Sequence, residues 1–218
     1  MAGIQPQPNL SIELSVIDSI ARGELKGLAI DAAELTLDVI VSDELVSAIP
    51  VIGSISKLYK AGISIRDRIF VKKIASFLGQ LADIDQTSRE RFATQLASDE
   101  GSRTKAGAAL ILLLDHLDDL EKPEIIGRLY RKRLEGQISF NELRRFCMIV
   151  ERSFLPDLHT LANIPDGEQV EGDFARLLYA LGLVAITGED YGTFDGIGGH
   201  TWYEVSDLGR RFISAAFR

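Results

Sequence analysis

The chain has 218 residues and a mass of 24.0 kDa, with 46% hydrophobic and 26% charged residues. This length and composition exclude a disordered chain and allow one domain or two small ones. Lysine and arginine total 24 against 32 aspartate and glutamate, so the formal net charge is −8. An acidic chain is not expected to attract nucleic acid in general. The single cysteine, Cys147, excludes an internal disulfide and favours a reducing compartment.

Neither a secretory signal nor a membrane span is expected. Met1–Asn9 has no basic start and no apolar core. The longest uncharged runs, such as Leu45–Ser56, have 12 residues, whereas a span needs roughly 18. We therefore expect a cytoplasmic protein. Its charge is segregated: residues 1–55 hold eight acids and two bases, and residues 56–80 hold six bases and one acid.

The hydrophobic pattern predicts a flexible tail over residues 1–9 and then a mainly α chain. The expected helices are Leu10–Arg22, Leu28–Ser47, Ser54–Leu81 with a bend at Gly62, Thr87–Ser98, Thr104–Leu120, Pro123–Leu134, Phe140–Ser153 and Leu155–Ala162. A proline turn is expected at Ala48–Gly53, and capping boxes at Thr87–Glu90 and Ser139–Glu142. The apolar stretch Ala108–Leu114 is expected at the centre of the core.

The last 48 residues change character. A helix over Gly172–Leu181 is expected to point its apolar residues inward, and these are Phe174, Leu177, Leu178 and Leu181. Strands at Leu183–Thr187 and Thr201–Val205 flank a glycine-rich connection, and Ser206 caps a final helix. The predicted fold is mainly α, with a helical domain over residues 10–136 and a second part with one β-hairpin over residues 137–218.

The sequence "LLYALGLV" at Leu177–Val184 and "WYEVSDLGRRF" at Trp202–Phe212 resembles the C-terminal half of a winged-helix domain. The resemblance implies a third helix ending at "LGLV", a hairpin that forms the wing, and a closing helix. The candidate residues of the winged end are Arg176, Tyr191, His200, Trp202 and Arg210. Winged helices bind DNA, RNA or proteins, so the resemblance alone does not choose a function.

Charge favours a protein contact for this winged end. A module that reads DNA needs lysine or arginine to neutralise phosphates. The third helix offers only Arg176, and the wing over residues 188–200 carries Glu189, Asp190 and Asp195 but no base. Nucleic acid is therefore not the partner that these residues favour.

The basic segment is expected to form an amphipathic helix over residues 54–78. Its anion-binding or partner-binding candidates are Lys57, Lys60, Arg68 and Lys72, which lie close to one line on a continuous helix. Ile65, Ile69 and Phe77 are expected on the opposite side. This helix could dock on an anionic membrane or an acidic partner. Alternatively, it is a solvated face that pairs with the acids of residues 1–55. Arg66 falls in the apolar stripe and is expected to pair with a buried carboxylate.

A further resemblance covers Ala48–Phe77, which looks like bacterial helical proteins without an assigned function. It implies no activity.

No motif establishes a chemistry. Asp115, His116, Asp118, Asp119 and Glu121 form an acidic cluster, but with one histidine it is interpreted as a solvated helix end paired with Lys122 or Arg128. Glu135–Glu142 resembles the exit of an EF-hand loop, yet Arg131 and Arg133 occupy earlier ligand positions. No nucleophile motif, phosphate-binding loop or dinucleotide fingerprint is present. We expect no enzyme, no metal and no cofactor.

Three functions stay open on the sequence. The favoured one is a non-catalytic interaction or regulatory module that contacts another protein. The second is a peripheral membrane-associated effector that uses the basic helix and the apolar turn at Ile49–Ile52. The third is a winged-helix DNA-binding regulator that depends on Arg176, Arg210 or Arg211. The sequence names neither the partner nor the oligomeric state.

Overall fold

The computed structural model describes residues 12–22, 51, 64–96, 100–170, 173–190 and 200–218. These residues form nine helices and a small antiparallel sheet, which confirms the mainly α class. In chain order the elements are α1 (Ile12–Arg22), α2 (Ile65–Gly79), α3 (Gln86–Leu96), α4 (Glu100–His116), α5 (Lys122–Leu134), α6 (Phe140–Arg152), α7 (Leu155–Ala162), β1 (Gln169–Val170), α8 (Asp173–Ala180), β2 (Val184–Asp190), β3 (His200–Val205) and α9 (Asp207–Phe217). The chain divides into two compact units, Met1–Gln137 and Ile138–Arg218.

Helix α2 begins at Ile65 because the preceding residue, Ser64, is its N-cap and has a non-helical backbone. Ser64 is extended, with φ −71° and ψ 163°, and its hydroxyl accepts a 3.2 Å hydrogen bond from the Asp67 amide. The Asp67 carboxylate accepts a 3.0 Å bond from the Ser64 amide. This reciprocal capping box contradicts the continuous helix predicted from Ser54. Lys57 and Lys60 lie outside the described residues.

Glycines set the helix contacts of the N-terminal unit. A Cβ added at Gly107 on α4 would lie 2.0 Å from the Glu13 carbonyl oxygen on α1. A Cβ at Gly127 on α5 would lie 2.7 Å from the Phe77 carbonyl oxygen on α2. The backbones therefore approach more closely than a side chain would allow. Phe77 also packs edge-on against Tyr130, with ring centroids 5.2 Å apart.

Helix α4 differs from its prediction in bounds and burial. It runs from Glu100 to His116 rather than over Thr104–Leu120, so it begins and ends four residues earlier than predicted. Gly107, Leu110 and Leu114 are buried, whereas Leu112 is exposed. The apolar stretch thus buries one stripe rather than its whole circumference.

Helix α3 is capped earlier than predicted. Its first residue is Gln86, and the Asp85 carboxylate accepts a 2.9 Å hydrogen bond from the Ser88 amide. This bond is the main reason that the pKa of Asp85 is lowered. The capping box predicted at Thr87–Glu90 is therefore wrong, whereas the one predicted at Ser139–Glu142 is confirmed.

The C-terminal unit contains a three-stranded antiparallel sheet in the order β1-β3-β2. The predicted hairpin is β2 with β3, in which Ile186 lies opposite Tyr203 and a bulge follows before Gly188. The sequence did not predict β1, which has two residues and is too short for a recognisable alternation.

The start of α9 packs tightly against the end of α8. Gly182 has a φ of +78°, and the Leu183 amide donates 2.9 Å to the Leu178 carbonyl, which closes α8 as a Schellman motif. Ser206 caps α9 as predicted, since its hydroxyl accepts from the Gly209 amide and donates to the Gly182 carbonyl. The core beneath includes Phe146 and Phe212, whose ring centroids lie 5.5 Å apart.

Candidate interaction surfaces

Helix α8 exposes apolar side chains. Leu177 is 62% exposed and Tyr179 is 48% exposed. The prediction that Leu177 points inward is wrong because the buried side of α8 centres on Ala175 and Leu178. Because Ala175 and Leu178 occupy the buried side of α8, Leu177 lies on the side that faces water.

The exposed residues define an α8 face, which consists of Asp173, Arg176, Leu177, Tyr179 and Ala180. At 100° per residue, Tyr179 and Leu177 lie at its two edges, with the other three between them. On one edge the Tyr179 ring lies 5.8 Å from the Tyr203 ring on the central strand. Ile186, opposite Tyr203, is also exposed and extends apolar surface onto β2.

This end of the unit is poor in cations. Arg176 is the one lysine or arginine in the sequences of α8, β2 and β3. Glu189 on β2 is exposed, and residues 191–199, which hold Asp195, lie outside the described ranges. Acidic groups beside phosphates would repel them, so the charge disfavours DNA at this face.

The arginines of α9 have partners inside the unit. Arg210 donates 2.6 Å bonds to the Val205 carbonyl and to the Asp207 carboxylate. Arg211 forms an ion pair with Glu142. Both guanidinium groups thus hold the start of α9 in place, although each side chain remains partly open to solvent.

Glu142 acts as a helix cap rather than as the last ligand of a calcium loop. Its carboxylate accepts a 2.9 Å hydrogen bond from the Ser139 amide and pairs with Arg211. The bonds from Ser139, with a smaller effect of Arg211, lower the pKa of Glu142.

The other candidates of the winged end are dispersed. Trp202 is half-buried, and its ring lies 3.1 Å from where a Cβ on Gly188 would stand. His200 is the first residue of β3, and Tyr191 lies outside the described residues. Trp202 therefore packs within the hairpin, and Arg176 is the candidate that lies on the α8 face.

A second surface lies on α2. Ile65, Arg68, Ile69 and Lys72 recur at spacings of three and four and form one stripe, which we call the α2 stripe. Ile65 is 78% exposed and Ile69 is 43% exposed, so both isoleucines lie beside the cations rather than opposite them. The prediction that they face the core is wrong. Phe77 is buried, as expected.

Arg66 does not pair as predicted, whereas the acids at positions 24–44 lie outside the described residues. Arg66 is exposed and forms a 3.1 Å ion pair with Asp115, not with a buried carboxylate. Asp18, one of the acids of residues 1–55, pairs with Arg103 instead. Arg68 and Lys72 make no ion pair with another residue of the described ranges.

Val51 belongs to the apolar turn that the membrane hypothesis places on the lipid surface, but it does not lie on the surface of the protein. It is buried, and its amide donates 3.4 Å to the Ser19 hydroxyl on α1. The neighbouring positions 49, 50 and 52 lie outside the described residues. Val51 thus belongs to the core of the N-terminal unit.

Two buried lysines donate hydrogen bonds to the segment that holds the acidic cluster, at the C-terminal end of α4. Buried Lys73 donates 2.9 Å to the Asp115 carbonyl and 2.6 Å to the Leu117 carbonyl, at the C-terminal end of α4. Burial is the main reason that the pKa of Lys73 is lowered. Buried Lys122 donates 2.6 Å to the Asp118 carboxylate, and this bond lowers the pKa of Asp118.

This arrangement stabilises a helix end, where a positive charge is favourable. Nothing in the residues around Lys73 predicts its burial, because it stands in a basic segment. Across the part of the chain that the structure describes, no group of three or more His, Cys, Asp or Glu residues is placed to hold a metal ion.

Comparison of the chain with protein-family models, with curated proteins and with solved structures found no match. Among the described helices, none is long and apolar enough to cross a membrane. Functional inference therefore rests on the α8 face and the α2 stripe themselves.

Proposed function

We propose that this protein is a non-catalytic interaction module that contacts another protein through the α8 face. The observation that carries the proposal is the exposure of Leu177 and Tyr179 on one short helix. Large apolar and aromatic side chains of this kind anchor protein interfaces when a partner removes them from water. Burying an apolar side chain contributes about 25 cal/mol per Å² of area removed from water.

Residues 138–218 serve in this proposal as a winged-helix-like unit, with α8 as the third helix and the β2–β3 hairpin as the wing. Support comes from the order of the elements and from the close of α8 at Gly182, within the "LGLV" sequence. The entry into α9 through Ser206 also agrees with the resemblance.

The charge around the α8 face indicates the chemistry of the partner. Asp173 is exposed on the α8 face and Glu189 is exposed on β2, and Asp190 and Asp195 add to the negative charge of the hairpin sequence. The best match is a protein surface with an apolar pocket and a basic rim. The lone Cys147 supports a cytoplasmic setting for this contact.

Affinity purification from source cells tests the proposal with two variants. Leu177→Ser should reduce the recovery of a specific co-purifying protein at least about tenfold, since an interface anchor contributes about 1.4 kcal/mol or more. Phe154→Ser changes an exposed aromatic residue at the start of α7 and should leave the recovery of that protein unchanged. Equal recovery with Leu177→Ser and the wild type would contradict the proposal.

Arg176→Glu separates this function from DNA binding. A partner with a basic rim should bind this variant as well as the wild type or better, because the substitution adds negative charge. Binding to duplex DNA would instead be lost with Arg176→Glu and would weaken steeply with salt. Salt-sensitive DNA binding by the wild type that depends on Arg176 would favour the regulator and contradict the protein-contact proposal.

A further inference from the structure

The α2 stripe combines the exposed residues Ile65, Arg68 and Ile69 with half-buried Lys72 on a single helix face. Ile65 and Ile69 are one turn apart, and Arg68 and Lys72 are one turn apart on the same side. The opposite side of α2 packs into the core through Ile74, among other residues. The stripe is therefore presented outward by a helix whose other side is fixed.

The sequence of α2 holds four bases and one acid, Asp67. Arg68 and Lys72 form no ion pair within the described ranges, and the nearby acid Asp67 is engaged by Ser64 in the helix cap. The sequence immediately before, over residues 52–63, adds two lysines and no acid. The sequence of residues 52–79 is thus positive in a chain of net charge −8.

We propose that the α2 stripe docks the N-terminal unit on the surface of an anionic lipid bilayer. A bilayer interface places anionic headgroups directly above an apolar layer, which matches cations beside isoleucines on one face. Arg68 and Lys72 have long stems that let their charges reach the headgroups while the isoleucines enter the acyl boundary. This inference concerns a different unit and a different surface from the α8 face, and it does not depend on the proposed function.

Co-sedimentation with phosphatidylcholine vesicles, with and without one quarter phosphatidylserine, tests the charge requirement. The wild type should bind the anionic vesicles at low ionic strength and bind them less at physiological ionic strength. It should bind the neutral vesicles only weakly at either ionic strength. Arg68→Glu/Lys72→Glu should lower the bound fraction at least about tenfold, because each cation near an anionic surface is attracted to it. Arg91→Glu, an exposed cation on α3, is the control and should bind like the wild type.

The apolar requirement is tested separately. Ile65→Ser/Ile69→Ser should also reduce binding at least about fivefold, since apolar insertion contributes to interfacial binding. Leu112→Ser removes an exposed leucine from α4 and should have no effect. None of the substituted positions is buried, so circular dichroism should show unchanged folding in each variant.

A fluorescent label reports insertion directly. An environment-sensitive dye on Ile65→Cys should shift to shorter wavelength when anionic vesicles are added, whereas the same dye on Leu112→Cys should not shift. Buried Cys147 should not compete for the dye. Absence of wild-type binding to anionic vesicles would overturn the proposal. Unchanged binding of either stripe variant, or equal dye shifts at the two positions, would overturn it as well.

Discussion

Arg89 on α3 donates a 2.7 Å hydrogen bond to the carbonyl oxygen of Ile20 in the last turn of α1. Its side chain is only 1% exposed, and it also donates to the carbonyls of Leu81 and Ile84. The positive guanidinium thus meets the negative end of α1 and the turn that follows α2. Burial lowers the pKa of Arg89, but a guanidinium stays protonated in a protein. A single side chain therefore joins three segments of the N-terminal unit.

Arg89→Met should destabilise the N-terminal unit by about 3 kcal/mol, because it leaves several buried carbonyl oxygens without donors. The measurement is the free energy of unfolding from urea denaturation. Arg91→Met, on the same helix but exposed, should change that free energy by less than about 0.5 kcal/mol. Similar values for the two variants would mean that the Arg89 bonds contribute little.

Gly209→Ala should destabilise the C-terminal unit by about 2 kcal/mol or more, because the new methyl would lie 2.1 Å from the Leu183 carbonyl oxygen. Helix propensity alone predicts the opposite sign, a gain of about 1 kcal/mol. Thermal unfolding of Gly209→Ala decides whether the close contact or the helix propensity has the larger effect. The control is Ser214→Ala, on the exposed side of α9. A raised melting temperature for Gly209→Ala would show that α9 does not pack this closely.

Glu142 should make stability depend on acid pH. Its pKa is below the usual 4.5, so the unfolded state binds protons at a higher pH than the folded state does. The stabilisation is present above that usual value and is lost as the pH falls through the depressed pKa. Glu142→Gln should lower the unfolding free energy by about 1 kcal/mol at pH 7 and by progressively less below about pH 4. Glu168→Gln, an exposed substitution, should parallel the wild type; a Glu142→Gln deficit that is the same at every pH would contradict this account.

Cys147 should be unreactive in the folded protein. Burial raises the pKa of its thiol to about 12, so almost no thiolate is present at neutral pH. Alkylation by iodoacetamide at pH 8 should therefore be slow in buffer, where opening of the C-terminal unit limits its rate. In urea, which unfolds the protein, alkylation should be fast. Mass spectrometry measures the modified fraction over time. Alkylation in buffer as fast as that of a free cysteine would show that the thiol is accessible.

Local signals predicted much of the fold. Leu155–Ala162 has the predicted bounds, Pro123 lies in the first turn of α5, and Ser206 caps α9. Each is fixed by residues within a few positions, which is why sequence reasoning found it. The Ser64–Asp67 box is equally local, but the longer periodicity of the bases on both sides of it favours a continuous helix, and this predicts too early a start for α2.

The surfaces were harder to predict because exposure is a tertiary property. Leu177 has the spacing of a core residue with Leu181, yet Ala175 takes the buried side of α8. Ile65 and Ile69 look like core residues until the packed side of α2 is known. Arg89 and Lys73 look like surface charges, since nothing nearby in sequence reveals the carbonyl oxygens that they meet.

The most direct test of the α8 contact is photo-cross-linking in source cells. p-Benzoylphenylalanine would replace Leu177 in one strain and Phe154 in another, since both side chains are exposed in the C-terminal unit. The account predicts a discrete protein adduct after irradiation at position 177, with none at position 154. Adducts of equal yield at both positions, or no adduct at position 177, would contradict a protein contact through the α8 face.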